Sequence, residues 1–477
     1  MPYLEAKGWN MYHTYLTVFL SLGSFFNTFA LVFSGLILNQ IAFSFSWNPN
    51  DILIVFSIIS IGGLFTIIPH YLTDRYGRKP LILIMNALFY ASIIGSAFAP
   101  NAIIFIIFQI IASIFGIDLY AVWISEEVPA RYREKAIGAV SGISMSSALL
   151  AGYLFIFTGL SEDMWRYIYS AVSLGAIIII TALWVKIKET RLFLYYKQKT
   201  EHEIEIDGHN NGNGSKFSNK SLFMVFQRKY LKVLLLSVAL IFLTDWIYLT
   251  IKRYFVVFLL IERPSLGSLL TEENLGILTI LVYIGSILGY YFSGYFANKV
   301  GGNKRAIYIS VLMYFVGSLM FLFDYSNIFV VFIGLFIVNL SYAFYRLIVE
   351  ILAEIFFPTK LRSTGNGWVV LFASILSIGS NFAMYFLLNL IGNWAFMFFI
   401  IGTACLIALS LVTHFIPETN GRSVEEIYIT EIENNGHKHQ EAILPIPIET
   451  MVSSLIENRE EEELESQAPL KEVYVAT

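Results

Sequence analysis

Charged residues and cysteine are both scarce in this sequence. Only 14% of its 477 residues are Asp, Glu, Lys or Arg, whereas a soluble globular domain has about 25%. The single cysteine, Cys405, excludes a disulfide within the chain and a metal site built from cysteines. There is no Gly-x-x-x-x-Gly-Lys-Ser/Thr loop and no His-x-x-x-His pair on an apolar run, which disfavours nucleotide-driven pumping and metal chemistry. We therefore expect no enzyme activity, cofactor, metal or nucleic-acid partner.

Long apolar runs, by contrast, are abundant. Hydrophobic residues make up 57% of the chain, and its mean hydropathy is +0.67. Runs of about 20 mostly apolar residues, the length that a membrane-spanning helix needs, recur about twelve times in two sets of six. The first set covers 14–38, 51–72, 81–99, 101–124, 136–160 and 165–185, and the second covers 232–260, 275–297, 305–323, 326–349, 364–388 and 393–415. The sequence predicts an all-α integral membrane protein with twelve transmembrane helices in two six-helix bundles.

Cations are concentrated in every second connection between these runs. Lysine and arginine follow the second, fourth, eighth and tenth runs and recur in the long segment after the sixth, whereas the other connections are poor in cations and often acidic. Lysine and arginine mark the cytoplasmic side of a membrane protein. We therefore expect both termini and the central segment to be cytoplasmic, in a multi-pass protein of the plasma membrane.

Composition also divides the chain into domains. We expect a cytoplasmic N-terminus at residues 1–13, the first six-helix bundle at 14–185, and the second bundle with its cytoplasmic motif at 232–427. Residues 186–231 contain a stretch rich in Glu, Asn, Gly, His and Lys, as is typical of a cytoplasmic linker. Residues 428–477 are acidic, and we interpret them as a disordered cytoplasmic tail, with a protein-docking tail as the alternative.

Two charged connections of the first set have counterparts in the second. The connection after the second run contains Asp-Arg-x-Gly-Arg-Lys at 74–79, and 298–305, after the eighth run, is a degraded copy of it. The connections at 126–133 and 354–362 each have a carboxylate followed by Pro-x-x-x-Arg. Such duplication predicts two pseudo-symmetric halves, as in transporters whose halves rock against each other.

These motifs resemble those of the major facilitator superfamily, specifically its sugar-porter-like branch of metabolite transporters. That branch has Asp-Arg-x-Gly-Arg-Arg/Lys after helix 2, Glu-x-x-Pro-x-x-x-Arg after helix 4 and Pro-Glu-Thr-x-Gly after helix 12, which here is 417–421, followed by Glu-Glu-Ile at 425–427. The resemblance covers residues 14–427. It implies the major facilitator fold and a monomeric secondary transporter, which moves a small polar metabolite, a sugar or an organic acid, by alternating access. Proton symport and a non-transporting nutrient sensor on the same fold stay open.

We interpret the charged groups at the cytoplasmic helix ends as a latch and not as a substrate site. They occupy equivalent positions in the two halves, with opposite charges available to pair across the interface, and partly buried Arg–carboxylate hydrogen bonds are strong ones. The resemblance implies that such groups join the halves when the cytoplasmic side is closed, whereas anchoring of helix ends at the cytoplasmic face is the alternative. The latch candidates are Asp74, Arg75, Gly77, Arg78, Glu126, Arg133, Glu354, Arg362 and Glu418.

Two carboxylates deep in the apolar runs are candidates for proton coupling, because ionisable groups are rare at that depth. Asp118 of helix 4 comes first, since symporters that resemble this chain often have an acid in that region, and Asp245 of helix 7 comes second. A structural pairing with a neighbouring helix is the alternative for Asp118. Three positions depart from the family: Asn27 and Gln109 replace an aspartate and an arginine, and His70 replaces a glycine. Amides carry no proton at ordinary pH, so coupling stays open.

The substrate cavity is expected near the bilayer midplane, between the halves. A sugar needs amide, hydroxyl and aromatic partners, whereas an organic anion needs a cation. Arg346 is either such a cation or the partner of Glu350, four residues later on the same helix face. The aromatic candidates have packing or lipid contact as their alternative role. The cavity candidates are Asn27, Gln109, Trp123, Trp246, Tyr283, Asn339, Arg346, Trp368 and Asn381.

Overall fold

The structure is a computed structural model of the chain. It describes residues 8–47, 49–116, 120–161, 163–191, 193–194, 223–248, 272–323, 328–355, 357, 362–391 and 394–415. Among these residues the regular elements are α-helices and short 3₁₀ turns, with no strand.

The helices of the first half follow the six predicted runs. They are α1 (Met11–Leu36), α2 (Leu38–Ser44), α3 (Pro49–Ile59), a 3₁₀ turn (Ser60–Phe65), α4 (Ile67–Tyr76), α5 (Arg78–Ala97), α6 (Ala102–Phe115), α7 (Tyr120–Glu127), α8 (Ala130–Phe155), a 3₁₀ turn (Ile156–Leu160) and α9 (Met164–Trp184). The predicted helix 2 is α3, the first 3₁₀ turn and α4 together, and the predicted helix 4 is α6 and α7.

The second half has six long helices among its described residues. They are α10 (Arg228–Tyr248), α11 (Glu272–Val300), α12 (Asn303–Phe323), α13 (Ile328–Ile355), α14 (Arg362–Ile391) and α15 (Trp394–His414). A 3₁₀ turn, Met224–Phe226, precedes α10.

The surface of this bundle suits a lipid bilayer. Eight helical spans within the described residues are long and apolar enough to cross a membrane. Large apolar side chains such as Leu31, Ile103, Phe386 and Leu390 point outward and are exposed, which a soluble protein avoids over so wide an area. The predicted all-α membrane architecture is confirmed, and the described spans are consistent with twelve transmembrane helices.

The helices pack as two bundles that meet along two seams. In the first bundle α1 packs against α8 and α9, and α5 packs against α6 and α9; in the second, α13 packs against α11 and α12, and α10 against α14 and α15. Between the bundles, α8 lies against α11, and α14 lies against α3, the 3₁₀ turn and α4. The domain limits expected from composition stay predictions.

The sequence predicted helices 2 and 4 as unbroken, and both are interrupted. Helix 2 becomes a 3₁₀ turn at Ser60–Phe65, which contains Gly62 and Gly63, and α6 of helix 4 ends at Gly116. The glycines allow close contact: a Cβ at Gly62 would lie 2.5 Å from the carbonyl oxygen of Ile110 in α6. Glycine weakens a helix interior, and here the close packing against neighbouring helices requires it.

Gly63 lies at the seam between the halves, and Gly63→Ala is expected to disturb that seam. The added Cβ would lie 2.8 Å from the Ser374 Cβ of α14, so α14 must move away, at a cost of about 1–3 kcal/mol. We expect a lower thermal unfolding temperature in detergent. Gly23→Ala is the matched control, because a Cβ there meets no atom within 4 Å. Equal unfolding temperatures for the two variants would contradict this account of the seam.

Candidate functional site

A buried cluster of charges lies at one end of the first bundle, which we call the charged end. Arg78 Nη2 is 2.8 Å from Glu126 Oε1 and 3.2 Å from Asp74 Oδ1. The Thr190 hydroxyl donates to Glu126 Oε2 at 2.8 Å. The side chains of Arg78 and Glu126 are only 4% and 0% exposed, so this ion pair is shielded from water and from salt.

The turn that positions Arg78 depends on Gly77 and Glu189. Gly77 has φ = 103°, a conformation that favours glycine, and a Cβ there would collide with the Glu189 carboxylate. That carboxylate accepts hydrogen bonds from the backbone N–H groups of Arg78 and Lys79, each at 3.0 Å. A carboxylate at a helix N-terminus pairs with its free N–H groups and with the helix dipole. Gly77 therefore acts here by fixing the start of α5.

Asp74 joins the two halves. Its Oδ2 accepts hydrogen bonds from the backbone N–H and from the hydroxyl of Thr364, both at 2.7 Å. Thr364 is in the first turn of α14, so a carboxylate of the first half caps a helix of the second half. This contact lies at the charged end, where the ion pair with Arg78 also holds the Asp74 carboxylate in place.

His70 extends the same seam by one turn of α4. Its Nδ1 lies 3.2 Å from the Ser363 hydroxyl, which also donates to the His70 carbonyl oxygen at 3.1 Å. Opposite it, a Cβ at Gly367 would be 2.8 Å from the His70 Cβ. The histidine that departs from the family's usual glycine is thus fully buried, and a glycine on α14 gives it space.

The other latch candidates differ in their placement. Arg75 is exposed, and its guanidinium lies 5.5 Å over the Tyr76 ring, so the structure does not bring it into the cluster. Arg133 is buried near the start of α8. The side chains of Glu354 and Arg362, and all of Glu418, lie outside the described residues.

Sequence reasoning expected opposite charges to pair across the halves, and the described contacts differ from this. The ion pairs described at the charged end, Arg78 with Asp74 and Glu126 and Arg191 with Glu127, lie within the first half. The charged contact described between the halves, that of Asp74 with Thr364, joins a carboxylate to a helix N-terminus. Such an N-terminus carries a partial positive charge and unpaired N–H groups, and it can replace a cation.

Three polar groups of this site were missed by sequence reasoning: Glu189, Thr190 and Thr364. Glu189 and Thr190 lie in the segment that was expected to be a cytoplasmic linker, and nothing in its composition indicated a contact with α5 or Glu126. Thr364 follows the start of α14 by two residues. Ser and Thr near a helix start are a usual capping signal, and this was the available indication.

In the interior of the first half, the candidate amides connect neighbouring helices. Asn27 Oδ1 accepts a hydrogen bond from the Tyr90 hydroxyl at 2.8 Å, and Gln109 Nε2 donates to the Ser96 hydroxyl at 2.9 Å. Trp123 is fully buried. Asp118, the first candidate for proton coupling, lies outside the described residues.

In the second half, several cavity candidates are packed between helices. Asn339 of α13 is buried and accepts a hydrogen bond from the Ser286 hydroxyl of α11 at 3.1 Å, and Tyr283 is buried as well. Trp368 stacks against Phe372, with ring centroids 5.8 Å apart. Trp246 is half-buried. The side chain of Asn381 lies outside the described residues.

Asp245 and Arg346 form an ion pair between α10 and α13. Arg346 Nη1 is 3.1 Å from Asp245 Oδ1 and donates to the Thr244 hydroxyl at 3.0 Å. The side chains of Arg346 and Asp245 keep 20% and 40% of their surface accessible. Sequence reasoning offered Glu350 as a partner, and the side chain of that residue lies outside the described part of the chain. Asp245, considered only as a proton site, is therefore also a partner of Arg346.

A family model described as Major Facilitator Superfamily matches residues 20–261 and 234–435. The chain belongs to the Major Facilitator Superfamily. One relative, the "Probable metabolite transport protein CsbC" of Bacillus subtilis, is 22% identical over 403 residues, which cover 78% of this chain and 85% of the relative. The arabinose-proton symporter of Bacillus subtilis is 23% identical over 416 residues, which cover 78% of this chain and 85% of the symporter.

Solved structures of the superfamily confirm the fold. The proton:xylose symporter XylE of E. coli, bound to 6-bromo-6-deoxy-D-glucose, superposes with a TM-score of 0.69 at 18% identity, covering 88% of this chain and 99% of XylE. The expected major facilitator fold, with two pseudo-symmetric bundles, is thereby confirmed for this chain. The seam formed by α4 and α14 lies between the two halves of this superfamily member.

Proposed function

We propose that this superfamily member is a secondary transporter, which moves a small polar metabolite, a sugar or an organic acid, across the plasma membrane by alternating access. The observation that carries the proposal is the contact of Asp74 with Thr364. It joins the two halves at one end of the bundle through hydrogen bonds, which can break and re-form without disturbing the ion pairs of the first half. The names of the two curated relatives support transport of a metabolite, and one of them supports a sugar and a proton.

The charged end is, in this proposal, the cytoplasmic end, and both termini lie on the same side. The cations after α4 and before α8 support this orientation. The Tyr12 hydroxyl near the start of α1 lies 3.2 Å from the Lys188 carbonyl oxygen after α9, so the start of the first bundle and the segment after it share that end. The described state is then closed towards the cytoplasm.

Opening of this end requires only a moderate free energy. It breaks two hydrogen bonds to the charged Asp74 carboxylate, each worth about 1.5–3 kcal/mol, and the weaker contact between His70 and Ser363. An equilibrium that is balanced within a few kcal/mol responds to a substrate that binds the two states differently. The contact is therefore strong enough to close the end and weak enough to release it in each cycle.

Counterflow tests the proposal. The purified protein in liposomes that are preloaded with an unlabelled sugar or carboxylate should accumulate the labelled form transiently, and protein-free liposomes should not. Absence of counterflow for every metabolite that binds would contradict transport and would favour a nutrient sensor.

We further propose that transport is coupled to protons, with Asp118 as the first proton site and Asp245 as the second. Asp118→Asn is expected to abolish accumulation driven by a pH gradient while sparing exchange at equal pH, because an amide carries no proton. The measurement is uptake of labelled metabolite with and without a gradient. Gradient-driven accumulation by the variant at the wild-type level would show that Asp118 is not the proton site.

A further inference from the structure

The ion pair of Asp245 and Arg346 is partly accessible to solvent. A charged pair in contact with hydrocarbon would be costly, so charged groups at membrane depth face a polar interior. Arg346 and Asp245 are 20% and 40% accessible, while Thr244, next to Asp245, is fully buried. The accessible surface of the pair is therefore expected to face the polar interior of the protein and not hydrocarbon.

The Tyr345 hydroxyl, on the residue before Arg346, is a further buried polar group of α13. The Tyr345 hydroxyl is fully buried and has no hydrogen-bond partner among the described residues. Its ring lies 5.4 Å from that of Tyr342 and 6.2 Å from that of Tyr314, and Arg346 is the next residue of the same helix. A buried hydroxyl without a partner is destabilising by about 1–3 kcal/mol, a penalty that a bound acceptor would remove.

The two halves offer different chemistry to the interior. The polar candidates described in the first half, Asn27 and Gln109, are neutral amides that are bonded to hydroxyls of α5. The second half has a guanidinium, a carboxylate and hydroxyls close together. A guanidinium binds a carboxylate through paired N–H groups, so this side of the interior suits an anion better than a neutral sugar.

We propose that Arg346 binds the carboxylate of a small organic acid and that Asp245 is its resident counter-ion, which the carboxylate of the substrate displaces. This inference rests on the proposed transport function and names its substrate class. The Thr244 hydroxyl donates to backbone carbonyl oxygens of α10 and accepts from Arg346, so it holds the guanidinium in place, and the Tyr345 hydroxyl is the further donor for the bound acid. Asp245 remains hydrated when it is displaced, because much of its side chain is already accessible, so its release from Arg346 costs little.

The alternative role of the pair is to hold α10 against α13. If the pair were purely structural, neutralising either residue would lower the unfolding temperature. Neither substitution would then change the affinity for the ligand. Our proposal predicts opposite effects of the two substitutions on affinity, and this separates the two roles.

The experiment measures binding and counterflow of lactate, gluconate, succinate and xylose with the full chain. Arg346→Gln is expected to weaken binding of the carboxylate probes about 10- to 100-fold and to abolish their counterflow. Asp245→Asn is expected to bind the same carboxylates more tightly than the wild type does, because the competing carboxylate is gone. Arg346→Lys should retain part of the affinity. Lys304→Gln, which removes a cation of the same half at the start of α12, should bind like the wild type.

Each outcome decides between the two proposals or overturns one of them. Xylose counterflow that Arg346→Gln leaves intact, without carboxylate binding, overturns the inference and keeps the transport function. A carboxylate that raises the unfolding temperature of the wild type but not that of Arg346→Gln supports the site even if no counterflow occurs, in which case transport fails. Weaker carboxylate binding by Asp245→Asn, at an unfolding temperature equal to that of the wild type, contradicts the role of Asp245 as a competitor.

Discussion

Replacement of Asp74 by alanine is expected to slow transport about tenfold and to leave the protein open at the charged end. The substitution removes both hydrogen bonds to Thr364, each worth about 1.5–3 kcal/mol because the acceptor is charged. The equilibrium between closed and open states then shifts by about two to four orders of magnitude. Substrate binding should persist, because Asp74 lies at the seam and not beside Arg346.

The opening can be measured with a cysteine at Ser363, which is fully buried against His70. In a Cys405→Ser background, Ser363→Cys should react slowly with a water-soluble maleimide and much faster once Asp74 is also alanine. Asp163→Ala is the matched control, since the Asp163 side chain is 68% exposed in its ion pair with Arg166. If Ser363→Cys were labelled at the same rate with and without the Asp74→Ala substitution, and transport stayed normal, Asp74 would not act as a latch.

Glu126→Gln is expected to lower stability by about 3–5 kcal/mol, because it removes the main counter-charge of a buried arginine. Arg78 is only 4% exposed and Glu126 is fully buried, so water cannot solvate the guanidinium that remains. For a bundle of this size the loss corresponds to an unfolding temperature lower by roughly 6–20 °C. Thermal unfolding in detergent, followed by size-exclusion chromatography, measures it.

The neighbouring carboxylate provides a matched control. Glu127 is also buried, but its partner Arg191 has a side chain that is 46% exposed, so the cation stays hydrated after Glu127→Gln. We expect a loss of about 1 kcal/mol for this variant. The double variant Arg78→Gln with Glu126→Gln should be more stable than the sum of the single losses implies. Additive losses would show that the two side chains do not depend on each other.

The membrane helices could be predicted from the sequence because their signal is local. An apolar run of about 20 residues next to cations defines a span by itself, and the predicted runs agree with α1, α5 and α9. The interruption of helix 2 could not be predicted in this way, because its glycines Gly62 and Gly63 lie in close contact with α6 and α14, which are distant in the chain.

Part of the candidate site was also accessible to sequence reasoning. Asp74, Arg78 and Glu126 were singled out from charged motifs, and they lie together. Their partners Thr190 and Thr364 were missed, because these contacts join residues that are 64 and 290 positions apart in the chain. The partner of Arg346 was sought one turn away on its own helix, whereas the described partner, Asp245, is on α10. Pairing across helices depends on tertiary packing, which no local pattern specifies.

The contribution of α14 to the seam has a consequence for how sequences of this kind can diverge. One of the two groups that donate to Asp74 there is a backbone N–H, which every amino acid except proline provides. Exchange of the Thr364 side chain would therefore keep one of the two hydrogen bonds to Asp74, while Asp74, Arg78 and Glu126 constrain one another. Substitutions tolerated in a library of variants should accordingly be many on the second half of the seam and few on the first.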